Sequence, residues 1–125
     1  MVHMQRVVLI ANEDDDSCTI YSQYLESCGY RVLMASGAEQ THRLAAEHQP
    51  DVIVTEFVER TQTGWRTPET LKHDVRTADI PLVGVTGWAM PDDQRRALRS
   101  GCDMILVKPV SPLDLALILE GIVAE

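Results

Sequence analysis

The sequence predicts an α/β fold, a five-stranded parallel sheet with helices on both faces. Three observations carry this. Strand-like and helix-like patterns alternate five times along the chain. The connections between them are short, which suits crossovers within one sheet. Residues 50–57 read Pro-Asp-Val-Ile-Val-Thr-Glu-Phe, a nearly continuous apolar run after a proline. A run of that kind suits a strand buried on both faces of a parallel sheet.

Size and composition agree with one folded unit. A chain of 125 residues with 45% apolar residues is expected to form a single domain over 1–125 with a core of its own. No linker, repeat or low-complexity segment interrupts it. The net charge of -8 argues against a nucleic-acid surface, which needs a basic footprint. No stretch reaches transmembrane length, and residues 1–6 are not followed by the long apolar segment of a signal peptide. A cytoplasmic protein with no membrane contact is the expectation. Cys18, Cys28 and Cys102 are odd in number and widely spaced. They read as reduced thiols rather than as a disulfide or metal framework. Neither a GxGxxG nor a GxxxxGK motif is present, so nucleotide binding by those routes is unsupported.

The first strand is expected at residues 7–11. Asn12, Glu13, Asp14, Asp15 and Asp16 follow it. These residues suit the cap of the next helix; a cation site is the other reading, because five polar side chains exceed what one cap needs. Ile20, Tyr21, Tyr24, Leu25 and Cys28 recur at helical spacing, predicting a helix over 17–28 that Gly29 ends. The second strand is expected at 30–35. A polar helix over about 38–48 follows, in which His42 and His48 read as surface residues. The third strand is expected at 51–57. Gly64 reads as a turn after it, and Trp65 as either a core filler or a surface anchor. Thr67-Pro68 reads as an N-cap with proline at the first helical position, predicting a helix from there to about 75. The fourth strand is expected at 80–86, a charged helix at 91–100 ended by Gly101, and the fifth strand at 104–107. Ser111, Pro112 and Asp114 read as a capping box opening a last helix to about 123. Leu113, Leu115, Leu117, Leu119 and Ile122 give that helix a broad apolar face.

The candidate site residues fall at the carboxyl ends of strands, where open α/β sheets keep their sites. Asn12 and Glu13 follow the first strand, Glu56 closes the third, Thr86 ends the fourth and Lys108 follows the fifth. Carboxylates, a hydroxyl and an ammonium in one crevice suit a hard cation together with a phosphoryl group. A strand-end carboxylate there could act as the nucleophile.

Residues 7–14, Gly29-Tyr30, 50–56, Gly64, Asp79-Ile80-Pro81, Val85-Thr86, Gly101-Cys102-Asp103 and Val107-Lys108-Pro109, at these separations, resemble the receiver domains of two-component response regulators. The resemblance covers about residues 5–123. It implies a flavodoxin-like (CheY-like) sheet of order 2-1-3-4-5. It implies that Glu56 stands where receivers carry the phosphoaccepting aspartate. Thr86 stands at the switch hydroxyl and Lys108 at the phosphate-contacting lysine. Ile105 replaces the switch aromatic. A magnesium pair would be Asn12 with Glu13, or Glu13 with Asp14 if the register slips by one. With Asn12 removing a charge, a weak magnesium site or none is expected.

The resemblance further implies a non-enzymatic signalling module that meets a protein partner: a histidine kinase, an output domain or another receiver. A homodimer through residues 91–123 is one form of this. The changed acceptor points to an atypical receiver that signals without normal aspartate phosphorylation. A working phosphoacceptor receiver and a structural or oligomerisation module are the alternatives.

Overall fold

The computed structural model describes residues 5–11, 15–57, 62–87 and 91–123. Five strands and five helices alternate: β1 (Val7–Ala11), α1 (Asp15–Ser27), β2 (Arg31–Ala35), α2 (Gly37–His48), β3 (Val52–Phe57), α3 (Gln62–Lys72), β4 (Leu82–Thr86), α4 (Pro91–Ser100), β5 (Met104–Val107) and α5 (Pro112–Val123). All strand pairs are parallel, in the order β2-β1-β3-β4-β5. This is the expected CheY-like topology.

Side-chain alternation sorts the core into two halves. Val8, Ile10, Val52, Val54, Val83 and Val85 face one way and pack with Tyr21 and Leu25 of α1 and Leu115 and Leu119 of α5. Leu9, Ile53 and Leu82 face the other way and pack with Ala45 of α2, Leu71 of α3 and Ala97 of α4. Both faces are therefore covered, which is why these strands are written without polar alternation.

The amino-terminal edge of the sheet is closed by two aspartates in the same way. The Asp51 carboxylate accepts from Val7 N–H at 2.7 Å, while Asp51 N–H donates to the Val7 carbonyl at 2.8 Å. Asp103 does the same for Leu82, at 2.8 Å in each direction. Each pair satisfies strand-end backbone groups that would otherwise be left over.

Two helix ends behave as their glycines predict. After α1, Tyr30 N–H reaches the Leu25 carbonyl and Gly29 N–H the Glu26 carbonyl, with Gly29 at φ 98°. After α4, Cys102 and Gly101 repeat the pattern onto Ala97 and Leu98. Both are left-handed helix stops that glycine adopts without steric cost. At α5 the Ser111 hydroxyl accepts from Asp114 N–H at 3.0 Å, as the capping motif requires.

The third helix departs from expectation. Thr67 and Pro68 do not open it; α3 begins at Gln62 and carries Pro68 inside. Gly64, expected in a turn, lies in its first turns, and Trp65 belongs to the helix backbone. Proline removes one helical hydrogen bond, but Thr67 and Leu71 are buried at 8% and 1% exposure. Tertiary packing thus carries the helix through a residue that, read locally, marks a start. The last helix also differs, since its apolar face is split. Leu115 and Leu119 are buried, while Leu113 and Leu117 are exposed.

His42 is more than a surface residue. Its Nε2 lies 2.6 Å from Asp74 Oδ2, tying α2 to the turn after α3. Arg76 grips the same carboxylate through Nη2 at 2.7 Å. Side-chain and backbone hydrogen bonds from Arg76, with the His42 ring, hold the Asp74 carboxyl well below the usual carboxylate range.

Two outcomes are expected. Gly101 sits at φ +130°, and a Cβ there would stand 2.4 Å from Lys72 Cγ and 3.2 Å from the Pro68 carbonyl oxygen. Gly29 has open space. Gly101→Ala should therefore lose more stability in chemical denaturation than Gly29→Ala, by about 1–3 kcal/mol against about 1 kcal/mol. Equal losses would show that the close approach to α3 carries no weight. For Asp74 the folded value is depressed, so its stabilisation is present above the ordinary value of 3.8 and is lost as pH falls below that value. The stability advantage of wild type over Asp74→Asn should shrink on acidification. A difference independent of pH would exclude the Asp74 carboxylate as its source.

Candidate functional site

Register places the site. Glu56 pairs with Val85, Phe57 with Thr86 and Thr86 with Val107. Glu56, Thr86 and Lys108 thus stand at the carboxyl ends of three neighbouring strands. Ala11 ends β1 at the same edge, opposite Thr55.

Pleat alternation then sorts the side chains. Glu56 shares the parity of Val52 and Val54, and Lys108 that of Leu106, which puts both on the side of α1 and α5. Thr86 has the parity of Leu82, and Ile105 packs against the α2–α4 half of the core. Glu56 and Lys108 meet directly, as Lys108 Nζ donates to Glu56 Oε1 in a salt bridge. The Glu56 side chain is 3% exposed and that of Lys108 35%. Thr86 is buried, and its carbonyl accepts from Lys108 N–H at 2.7 Å. The pair is therefore a carboxylate withdrawn from water and met by an ammonium still partly wet. Attraction rises with such burial, and so does the desolvation cost.

Tyr21 is a contributor that motif spacing did not single out. Its hydroxyl donates to the Val110 carbonyl at 2.8 Å, two residues beyond Lys108. It pins the Lys108 loop to α1. Burial pushes the Tyr21 phenol up, and the Glu56 carboxylate adds to the effect. The helical spacing of Tyr21 marked it only as core. Its bond to a loop distant in sequence left no local signal.

Asn12, Glu13 and Asp14, the expected magnesium residues, lie outside the described residues. Among the described residues no cluster of three or more histidines, cysteines or carboxylates is placed to hold a metal. Cys102 is buried and its thiol is pushed up to about 12 by burial, so it is chemically quiet. Cys28 is exposed. Among the described residues no helix is long and apolar enough to cross a membrane.

The sequence model of the response regulator receiver domain matches residues 8–120. Polar-differentiation response regulator DivK from Brucella ovis is 28% identical over 108 residues, covering 86% of this chain and 88% of that protein. Chemotaxis response regulator CheY4 of Vibrio cholerae superposes with TM-score 0.84 at 21% identity, covering 95% of this chain and 99% of that one. The receiver domain of sensor histidine kinase PA1611 from Pseudomonas aeruginosa PAO1, with a magnesium ion coordinated in its active site cleft, superposes with TM-score 0.85 at 21% identity. It covers 98% of this chain and all of its own.

Removing the charge from the buried partner tests the pair. Glu56→Gln leaves Lys108 without its counter-charge, but water reaches the ammonium. The expected loss is about 1–2 kcal/mol in chemical denaturation. Amide resonances of Lys108, Thr86 and Ile105 should shift with it. Unchanged stability and unchanged shifts would show that the pair holds nothing in place.

Proposed function

The chain belongs to the response regulator receiver domain family, and we propose that it is an atypical, pseudo-receiver member. In this reading it is one domain that signals by contacting proteins and takes no phosphoryl group by the normal aspartate route. The observation that carries the reading is the Glu56–Lys108 salt bridge. The acceptor-equivalent carboxylate is already engaged by the lysine that would otherwise meet phosphoryl oxygens. Glutamate is also one methylene longer than aspartate. A displacement of about 1 Å in a reacting group costs on the order of 10²-fold in rate.

The residue roles follow. Glu56 is the phosphoacceptor equivalent, Lys108 the phosphate-contact equivalent, and Thr86 and Ile105 the switch equivalents. The buried ion pair holds the pocket in one charge-satisfied arrangement. Asn12, Glu13 and Asp14 would supply a weak magnesium site, where the ion would lend positive charge to a phosphoryl group.

Receiver domains are signalling modules that interact with histidine kinases and other proteins. For this chain the proposed partner is a histidine kinase, an output domain or another receiver, met in the cytoplasm. Exposed Leu98, Met104, Leu113 and Leu117 support a protein contact, homodimeric included, through residues 91–123. A phosphoaccepting receiver is the second reading, favoured by the presence of both Thr86 and Lys108 at their expected strand ends.

Intact-mass spectrometry after incubation with acetyl phosphate and magnesium separates the two. The wild type is expected to stay at its unmodified mass. Glu56→Asp shortens the side chain, frees Lys108 and should acquire one phosphoryl group. A stoichiometric, magnesium-dependent adduct on the wild type would establish the second reading instead.

A further inference from the structure

Lys108 stands at a weakly held place in the sheet. β5 is an edge strand, paired only with β4, and none of its four residues is fully buried. Lys108 follows β5 directly. Pro109 after it is exposed and has no N–H to donate. On one side the Lys108 N–H ties the backbone to the Thr86 carbonyl at 2.7 Å. On the other the chain turns into α5, where Leu115 N–H meets the Ser111 carbonyl at 3.0 Å. Between these anchors a long, flexible side chain must bring its ammonium to a carboxylate whose side chain is 3% exposed.

The Tyr21 hydroxyl acts between the same two anchors. It donates to the Val110 carbonyl at 2.8 Å, two residues past Lys108. Tyr21 is 9% exposed and packs in the core half that holds Val54 and Val85, the side of the sheet on which Glu56 lies. Burial first, and then the Glu56 carboxylate, push the phenol up, so it remains a protonated donor through neutral pH. A phenylalanine would fill the same core position. Packing therefore accounts for the ring but not for the oxygen, whose partner is the loop that carries Lys108.

We propose that Tyr21 is a positioning residue of the strand-end site: its hydroxyl fixes the backbone of residues 108–110 so that Lys108 presents its ammonium to Glu56. The proposal rests on the Glu56–Lys108 pair that carries the pseudo-receiver reading, and adds to it a residue from α1. Tyr21 acts through the loop backbone and leaves the Lys108 side chain its own rotations.

The chain has two lysines, Lys72 and Lys108, so lysine labelling carries its own reference. Lys72 lies at the opposite edge of the sheet, where its ammonium meets the Ala78 carbonyl at 2.9 Å and Asp103 at 3.3 Å. Competitive acylation of the full chain with acetic anhydride, read by peptide mass spectrometry, gives the Lys108 rate relative to Lys72. Amines held against a carboxylate acylate more slowly than free ones. Tyr21→Phe keeps the ring, and the amide spectrum checks the fold. It should raise the ratio by roughly three- to tenfold. Glu56→Gln should raise it at least as much. Tyr30→Phe alters another tyrosine of the same core half and should leave it unchanged. A ratio raised by Glu56→Gln but not by Tyr21→Phe would overturn the positioning role and leave the pair standing. A ratio moved by neither would overturn the pair and the role together. An equal rise in Tyr30→Phe, or Lys72 and Lys108 both accelerating in Tyr21→Phe, would show general loosening of the core and would also overturn the role.

Discussion

A parallel sheet covered on both faces has no place for polar side chains except its ends. The rest of this molecule follows from that constraint. Helices on each side exclude water from Val8 through Val85, so the chain writes those strands in valine, leucine and isoleucine. Polar groups collect at the two edges. At the amino-terminal edge, Asp51 and Asp103 close the strand backbones. At the carboxyl edge, Glu56 is drawn below the surface and must be met by charge. Lys108, one residue beyond β5 and on the same side of the pleat, meets it.

Much of this was legible in the residues. Period and breakers located ten elements, because a buried strand and a glycine-stopped helix each have a local physical signature. The placement of Glu56, Thr86 and Lys108 at strand ends was legible too, since polar groups of a two-sided sheet collect there. The start of the third helix was not. Pro68 marks a start by local rules, and only the burial of Thr67 and Leu71 overrides them. Nor were the His42–Asp74 contact and the Tyr21–Val110 bond. They join residues 32 and 89 positions apart, and such pairings are decided by packing.

The energetics of the Glu56–Lys108 pair are asymmetric in a way that matters for function. Glu56 is nearly dry, while Lys108 keeps about a third of its side chain in water. The carboxylate has lost its solvation and depends on the ammonium; the ammonium retains some of its own. Drawing Lys108 away therefore removes its counter-charge from a buried carboxylate, a costly step.

The α1–α5 face joins this pair to the rest of the domain. Lys108 is anchored to β4 through the Thr86 carbonyl, and two residues later its loop is anchored to α1 through Tyr21. The loop then enters α5 under the Ser111 cap. In its first two turns α5 supplies Leu113 and Leu117 to a groove that Tyr24 and Tyr30 also line. Coupling between distant sites requires an element with two arrangements that both sites bias. Here the segment with contacts in both directions is residues 108–111. A backbone displacement of residues 108–110 would have to break or carry the Tyr21–Val110 bond, whereas rotation of the Lys108 side chain alone would leave it intact.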